Sequence, residues 1–271
     1  MKYSYENNLS DRQFDSIDEF LHFIETTPLN SRFCNSSSHL ASNDTSAHST
    51  KWTGTSSYSE AVKMLKNGWE DMAKKIEQQL KLATKSVVTK TTPRPTYSAA
   101  GYQASVPRYL QGMPDSMIYS KRVPLKQKII TINKQINYTS CVSAETIIEE
   151  STKALSIVAK LEAQGYRVNL NVVTCSEGIG SYKEIVRIRI KSASEKMSVA
   201  KMAFPLVNPS MLRRLIFKYR ETNPESSQIG YFYGSTIYNA SQWFEDKANS
   251  EYYLPPMIDN EEEFLKNFQN L

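Results

Sequence analysis

The chain has 271 residues, 40% of them hydrophobic and 23% charged, with a net charge of +5. Such a composition suits a globular protein with a sizeable core and excludes a low-complexity or wholly disordered chain. No apolar run approaches the ~20 residues of a membrane-spanning helix, and the opening MKYSYENNLSDRQFDS lacks the apolar stretch of a secretory signal.

The charge is unevenly placed: −4 over residues 1–50, +10 over 51–140, +6 over 141–220 and −7 over 221–271. A basic middle is one electrostatic footprint of a nucleic-acid binder. It is also what a chain shows when its acidic ends fold back on it. Cys34, Cys141 and Cys175 are odd in number and widely spaced, which argues against a disulfide framework and for a reducing, cytoplasmic compartment.

In chain order, Ser16 followed by Glu19 forms a capping box for a short helix over residues 16–26. Residues 30–50, rich in Ser, Asn and Thr, read as a loop. A second box, Ser57 and Glu60, opens a helix reaching about Leu82, with Val62, Leu65, Trp69, Met72, Ile76 and Leu80 on one face. Gly68 marks a kink or a close approach within it. Residues 89–126 contain Pro93, Pro95, Pro107, Pro114 and Pro124 and show no continuous period. They read as a long, ordered connection lying over the core, with Tyr97, Tyr102, Tyr109, Leu110, Met113, Met117 and Ile118 available to pack.

Ile129, Ile130 and Ile132 then predict a strand, and Ser143 caps a helix with Ile147, Ile148, Ala154, Leu155 and Val158 inward. Gly165 ends the helix and Tyr166, Val168, Leu170 and Val172 alternate as a second strand. Strand, helix, strand at this spacing is a βαβ unit with parallel strands. Gly178 and Gly180 lie in a hairpin turn. Val186, Ile188 and Ile190 alternate with Arg187, Arg189 and Lys191, which predicts an antiparallel edge strand with a charged outer face. Asn208-Pro209 starts a helix burying Leu212, Leu215, Ile216 and Tyr219, with Arg213, Arg214, Lys218 and Arg220 on its other side. An aromatic strand over 231–237, an anchor at Trp243-Phe244, a strand at 252–254 and a helix over 261–268 complete the chain.

Four stretches resemble a protein family encoded by phages and prophages. They are Trp52-Thr-Gly-Thr through Lys66-Asn-Gly-Trp69, Pro107-Arg-Tyr-Leu with Gly112-Met-Pro114, Leu161-Glu-Ala-Gln-Gly-Tyr-Arg-Val168, and Phe204-Pro-Leu-Val-Asn-Pro-Ser-Met-Leu-Arg-Arg214. The resemblance covers about residues 15 to 220 and brings no functional residues with it. The order of elements from Lys128 to Lys191 also looks like the start of a von Willebrand factor A domain. That fold often holds a divalent ion through Asp-x-Ser-x-Ser after its first strand. The matching segment here, residues 133–143, has hydroxyls and no carboxylate, so the resemblance implies a fold without its metal site.

Cys141, between a strand end and a helix start, stands where ligands bind in open α/β sheets. The three histidines, His22, His39 and His48, are remote in sequence, so the thiol reads as incidental. Glu177-Gly-Ile-Gly180 is too short for a phosphate-binding loop. Glu149 and Glu150 read as a solvated pair, and Glu261, Glu262 and Glu263 as a favourable first helical turn. No cofactor motif is present. The binding candidates are therefore Arg187, Arg189, Lys191, Arg213, Arg214, Lys218 and Arg220, which could neutralise phosphates, with Tyr182 and Tyr219 near enough to stack.

These readings predict an α/β protein with a von Willebrand A-like or Rossmann-like central sheet. Residues 1–126 form a helical and irregular region packed on a core of 127–271 that carries a C-terminal extension. The expected function is non-enzymatic binding of a host or phage macromolecule, with a protein partner first and a nucleic acid second; an enzyme of unknown class is the third reading.

Overall fold

The computed structural model describes all residues except 31–39, 44–46, 86–90, 125–127, 226–228, 230–233, 235, 238, 245–249 and 269–271. Two strands open the chain, β1 (Lys2–Glu6) and β2 (Leu9–Phe14). Asn7 and Asn8, at φ 50° and 64°, make the two-residue turn between them. Asparagine tolerates this left-handed backbone, and such a turn matches the twist of a hairpin.

The helices α1 (Ile17–Thr26), α2 (Ala47–Thr53), α3 (Tyr58–Asn67) and α4 (Glu70–Thr84) follow. Both predicted caps form: Ser16 Oγ accepts from Glu19 N and Ser57 Oγ from Glu60 N, each at 3.1 Å. The single helix expected from 57 to 82 is two. Gly68 sits between them at φ 87°, and a Cβ there would lie 2.9 Å from the Ala200 carbonyl oxygen. The break and the close approach thus have one cause. The loop expected over 30–50 contains α2 and a short 3-10 turn, Ala41–Asn43, in its described part.

Residues 89–126 depart furthest from expectation. They hold β3 (Thr91–Ser98), β4 (Gln103–Ala104), the short helix α5 (Val106–Leu110) and β5 (Met117–Pro124). These strands form a separate antiparallel sheet ordered β3-β5-β4. No residue from 92 to 123 is buried, so this arm stands off the core and does not cover it.

The predicted βαβ unit is present. β6 (Ile129–Gln135) leads into α6 (Ala144–Ala163), capped by Ser143, and then into β7 (Arg167–Glu177). Ile130 stands opposite Val168 and Ile132 opposite Leu170 in a parallel register. β8 (Lys183–Lys191) returns antiparallel to β7. It is not an edge strand, however: β2 pairs with its other side in parallel. β9 (Glu251–Leu254) adds parallel to β6. The order β1-β2-β8-β7-β6-β9 is a six-stranded mixed sheet. Because strands from both sides of position 126 build it, a boundary at 126/127 runs through the sheet.

α7 (Val199–Val207), which the sequence reading left unassigned, ends at Asn208, whose side chain accepts from Ser210 N at 2.9 Å. A π-helical turn, Met211–Ile216, then runs into α8 (Phe217–Thr222), and α9 (Glu261–Lys266) comes last. One sheet face carries Ile132, Val168, Leu170, Val172, Val186 and Ile188 into the main core under the helices. The opposite face carries Val173, Cys175 and Ile185 against Ala240, Phe244 and Trp243. The anchor at Trp243-Phe244 is therefore observed. Of the aromatic strand expected over 231–237, Tyr231, Phe232, Tyr233 and Ser235 lie outside the described residues, as does Tyr238. Among the described residues no helix is long and apolar enough to cross a membrane.

Candidate functional site

The basic residues singled out in the sequence do not form a solvated face. Arg187 and Arg189 do point away from Ile188, as alternation requires, but acidic side chains cover them. Arg187 donates to Asp11 at 2.6 Å and to Glu251 at 2.8 Å, and Arg189 lies 3.6 Å from Asp15. Lys191 is buried, with Glu162 at 2.5 Å and the Val168 carbonyl at 3.1 Å. The N-terminal and C-terminal acidic segments thus fold back onto the basic middle.

The helical arginines are buried more deeply. Arg213 and Arg214 are 1% and 0% exposed. Arg214 donates to Thr55 Oγ1 (2.9 Å), the Thr55 carbonyl (2.8 Å), Thr53 Oγ1 (3.1 Å) and the Ser42 carbonyl (3.0 Å). Arg213 donates to the carbonyls of Trp52 (2.6 Å) and Val142 (3.1 Å), and its guanidinium lies 4.3 Å from the Trp52 ring centroid. Burial pushes the Arg213 pKa down to about 10. Two of the stretches that carry the sequence resemblance therefore meet here: Trp52-Thr-Gly-Thr supplies acceptors for the consecutive arginines of Met211-Leu-Arg-Arg. Gly54 is part of that fit, since a Cβ would sit 2.8 Å from Asn208 Oδ1. Buried charges persist only when hydrogen-bonded or paired, and these residues hold the fold together.

Arg220 forms a buried ion pair with Glu184 and donates to Ser176 Oγ at 2.8 Å. Lys218 is half-buried. Tyr182 and Tyr219 are buried too, so neither ring is open to a nucleic-acid base. Glu150, expected in solvent, is buried and accepts from Ile258 N at 2.7 Å. Cys141 is exposed in a cleft of about 310 Å³ with Trp52, Ser143 and Arg213. Its one hydrogen-bond partner among the described residues is Thr139 Oγ1 at 3.1 Å.

Exposed basic side chains lie along α3 and α4 (Lys63, Lys66, Lys74, Lys75, Lys81) and on the arm, and the arm sets its own beside exposed tyrosines. Arg94 and Lys121 stand directly opposite each other in the β3–β5 register, and Arg122 stands opposite Pro93. All three are exposed and none makes a salt bridge among the described residues. Like charges placed cross-strand destabilise a sheet, so this pair is held at a cost that an anion between them would relieve. Tyr97, Tyr102, Tyr109 and Tyr119 are exposed along the same element. Arg108 is committed internally, with Asp115 at 2.6 Å and the Tyr97 ring at 4.3 Å; this bond holds the Asp115 carboxyl below its ordinary pKa. It ties α5 to the base of β5. Gly101 allows the turn before β4, for a Cβ there would fall 2.1 Å from the Ile118 carbonyl oxygen. At the tip, Val106, Tyr109, Leu110 and Met113 are exposed together.

The sequence reading missed this site because it assigned the arm's tyrosines to packing. The available signal was the run Met117-Ile-Tyr-Ser-Lys-Arg-Val123, whose β-branched and aromatic content suits a strand.

The fold is thus that of an α/β protein: a six-stranded mixed sheet between helices and a C-terminal segment, with a basic β-arm outside its core. The chain belongs to the DUF7192 family, a domain of unknown function, whose model matches residues 3–268. No curated protein and no solved structure matches the chain.

Proposed function

We propose that this protein is a non-enzymatic nucleic-acid-binding protein that grips the phosphate backbone with its β-arm. The observation that carries the reading is the cross-strand pair Arg94–Lys121, with Arg122 beside it, on strands with no buried residue from 92 to 98 or from 117 to 123. A two-stranded ribbon fits the major groove of a duplex, and exposed tyrosines can stack on unpaired bases. The order expected from the sequence, protein before nucleic acid, reverses because the strand and helix singled out there are covered, whereas the arm sets exposed basic side chains beside exposed tyrosines.

Phage origin, a host-cytoplasmic setting and a von Willebrand A-like core belong to the same proposal. The supporting observations are the four phage-like stretches, the cysteine spacing and the βαβ-hairpin order. A protein partner is the second reading, favoured by the exposed tip of Val106, Tyr109, Leu110 and Met113, since clustered exposed apolar side chains mark interaction sites.

Fluorescence anisotropy with short single- and double-stranded DNA and RNA over a salt series tests the first reading. Binding should weaken steeply with salt. Changing Arg94, Lys121 and Arg122 together to Glu should abolish it and leave the circular dichroism spectrum unchanged; neutralising the same three should lower the salt slope by about three. Binding unaffected by these changes, or absent at low salt, refutes the nucleic-acid reading and leaves the protein one.

A further inference from the structure

β1 is an edge of the main sheet, and all five of its residues are exposed. Proteins usually blunt such edges with prolines, bulges, brevity or charge of one sign. The opposite edge is blunted: β9 has four residues and runs into Pro255 and Pro256, which have no N–H to offer. β1 has no proline, and its pairing with β2 is continuous from Lys2 to Glu6.

The turn fixes which backbone groups are free. Glu6 and Leu9 flank a two-residue turn and exchange both hydrogen bonds, so alternation directs the backbone of Lys2, Ser4 and Glu6 toward β2. The N–H and C=O groups of Tyr3 and Tyr5 therefore point outward along the free edge. Their rings are set from behind: Tyr3 lies under the Arg12 guanidinium at 4.7 Å, and Tyr5 stacks on Tyr182 at 6.4 Å. They nonetheless remain 45% and 51% exposed.

We infer that β1 pairs with β1 of a second copy of this chain, antiparallel and centred on Ser4. In that register each Tyr3 faces the other copy's Tyr5, and these are the residues whose outward N–H and C=O groups can exchange hydrogen bonds. Each Lys2 then faces the other copy's Glu6. Neither Lys2 nor Glu6 has a salt-bridge partner within the described residues of its own chain. The edge is self-complementary in backbone, ring and charge, as an isologous two-fold interface must be. One strand on each side is a small contact, so the dimer is weak and concentration-dependent. This inference stands apart from the arm and from what the arm binds.

Sedimentation velocity over a concentration series is the test. The wild type should pass from monomer to dimer. Lys2→Glu and Glu6→Lys should each weaken self-association about tenfold, by making two like-charge pairs in place of two opposite ones. Mixing the two variants should restore a dimer, because each supplies the charge the other lacks. Tyr5→Pro, which removes one outward N–H and leaves the hydrogen bonds to β2, should abolish association while circular dichroism stays unchanged. A wild type that is monomeric at the highest soluble concentration, charge variants that dimerise normally, or a mixture that fails to recover would each overturn the inference.

Discussion

Replacing Lys134 by Met should change how stability depends on pH. Lys134 is fully buried at the end of β6, and its Nζ donates to the carbonyls of Pro255 (2.5 Å) and Pro256 (2.7 Å). Burial pushes its pKa down from 10.5 to about 7; Glu150 opposes that fall and Lys153 adds to it. A depressed pKa means that the folded state resists protonation. The penalty is absent above pH 10.5, grows as pH falls toward 7, and is complete below that, where it reaches about 5 kcal/mol. Wild-type stability relative to Lys134→Met should therefore rise with pH, by about 2 to 3 kcal/mol between about pH 7.5 and 9.5. The Pro255 carbonyl left without this donor in the variant, while Pro256 keeps the Tyr138 hydroxyl at 3.2 Å, adds an offset that is constant with pH. Urea denaturation of both proteins at several pH values, taken as a difference, cancels every titration they share. A difference that stays flat across this range would refute a buried, largely neutral Lys134.

Two further changes probe the interior. Glu184→Gln leaves Arg220 buried without its countercharge and should cost about 3–5 kcal/mol in urea denaturation; a loss under about 1 kcal/mol would mean that the pair is solvated. Gly68→Ala places a Cβ against the Ala200 carbonyl at φ 87° and should cost at least about 2 kcal/mol. Calorimetry giving an unchanged Tm would show that the α3–α4 break tolerates a side chain.

What could be read from the sequence was local. Ser16, Ser57 and Ser143 cap helices through bonds spanning three residues, and the βαβ unit repeats its apolar side chains at fixed spacing. The failures were long-range. Arg213 and Arg214 look solvated beside Leu212 and Leu215 because their acceptors lie about 160 residues earlier. Arg187 was placed on the correct face, yet Asp11 comes from 176 residues away to cover it. β1 alternates tyrosine with polar residues, yet all five are exposed, so no buried apolar face marked it as a strand. The arm was misread for the converse reason: its tyrosines and methionines are apolar enough to pack, and the fold gives them nothing to pack on.

The latch between β6 and β9 has a consequence for synthesis. Asn133, Lys134 and Tyr138 wait 118 to 122 residues for Glu251 and Pro256. A nascent chain that has emerged only to residue 250 holds a lysine and an asparagine at the brink of an apolar interior, beside a strand open along one side. Such a chain cannot complete its sheet, because β6 pairs along one side with a strand about 120 residues downstream. Folding of this molecule is gated by β9, and a chain exposed only as far as residue 250 is in its stickiest form.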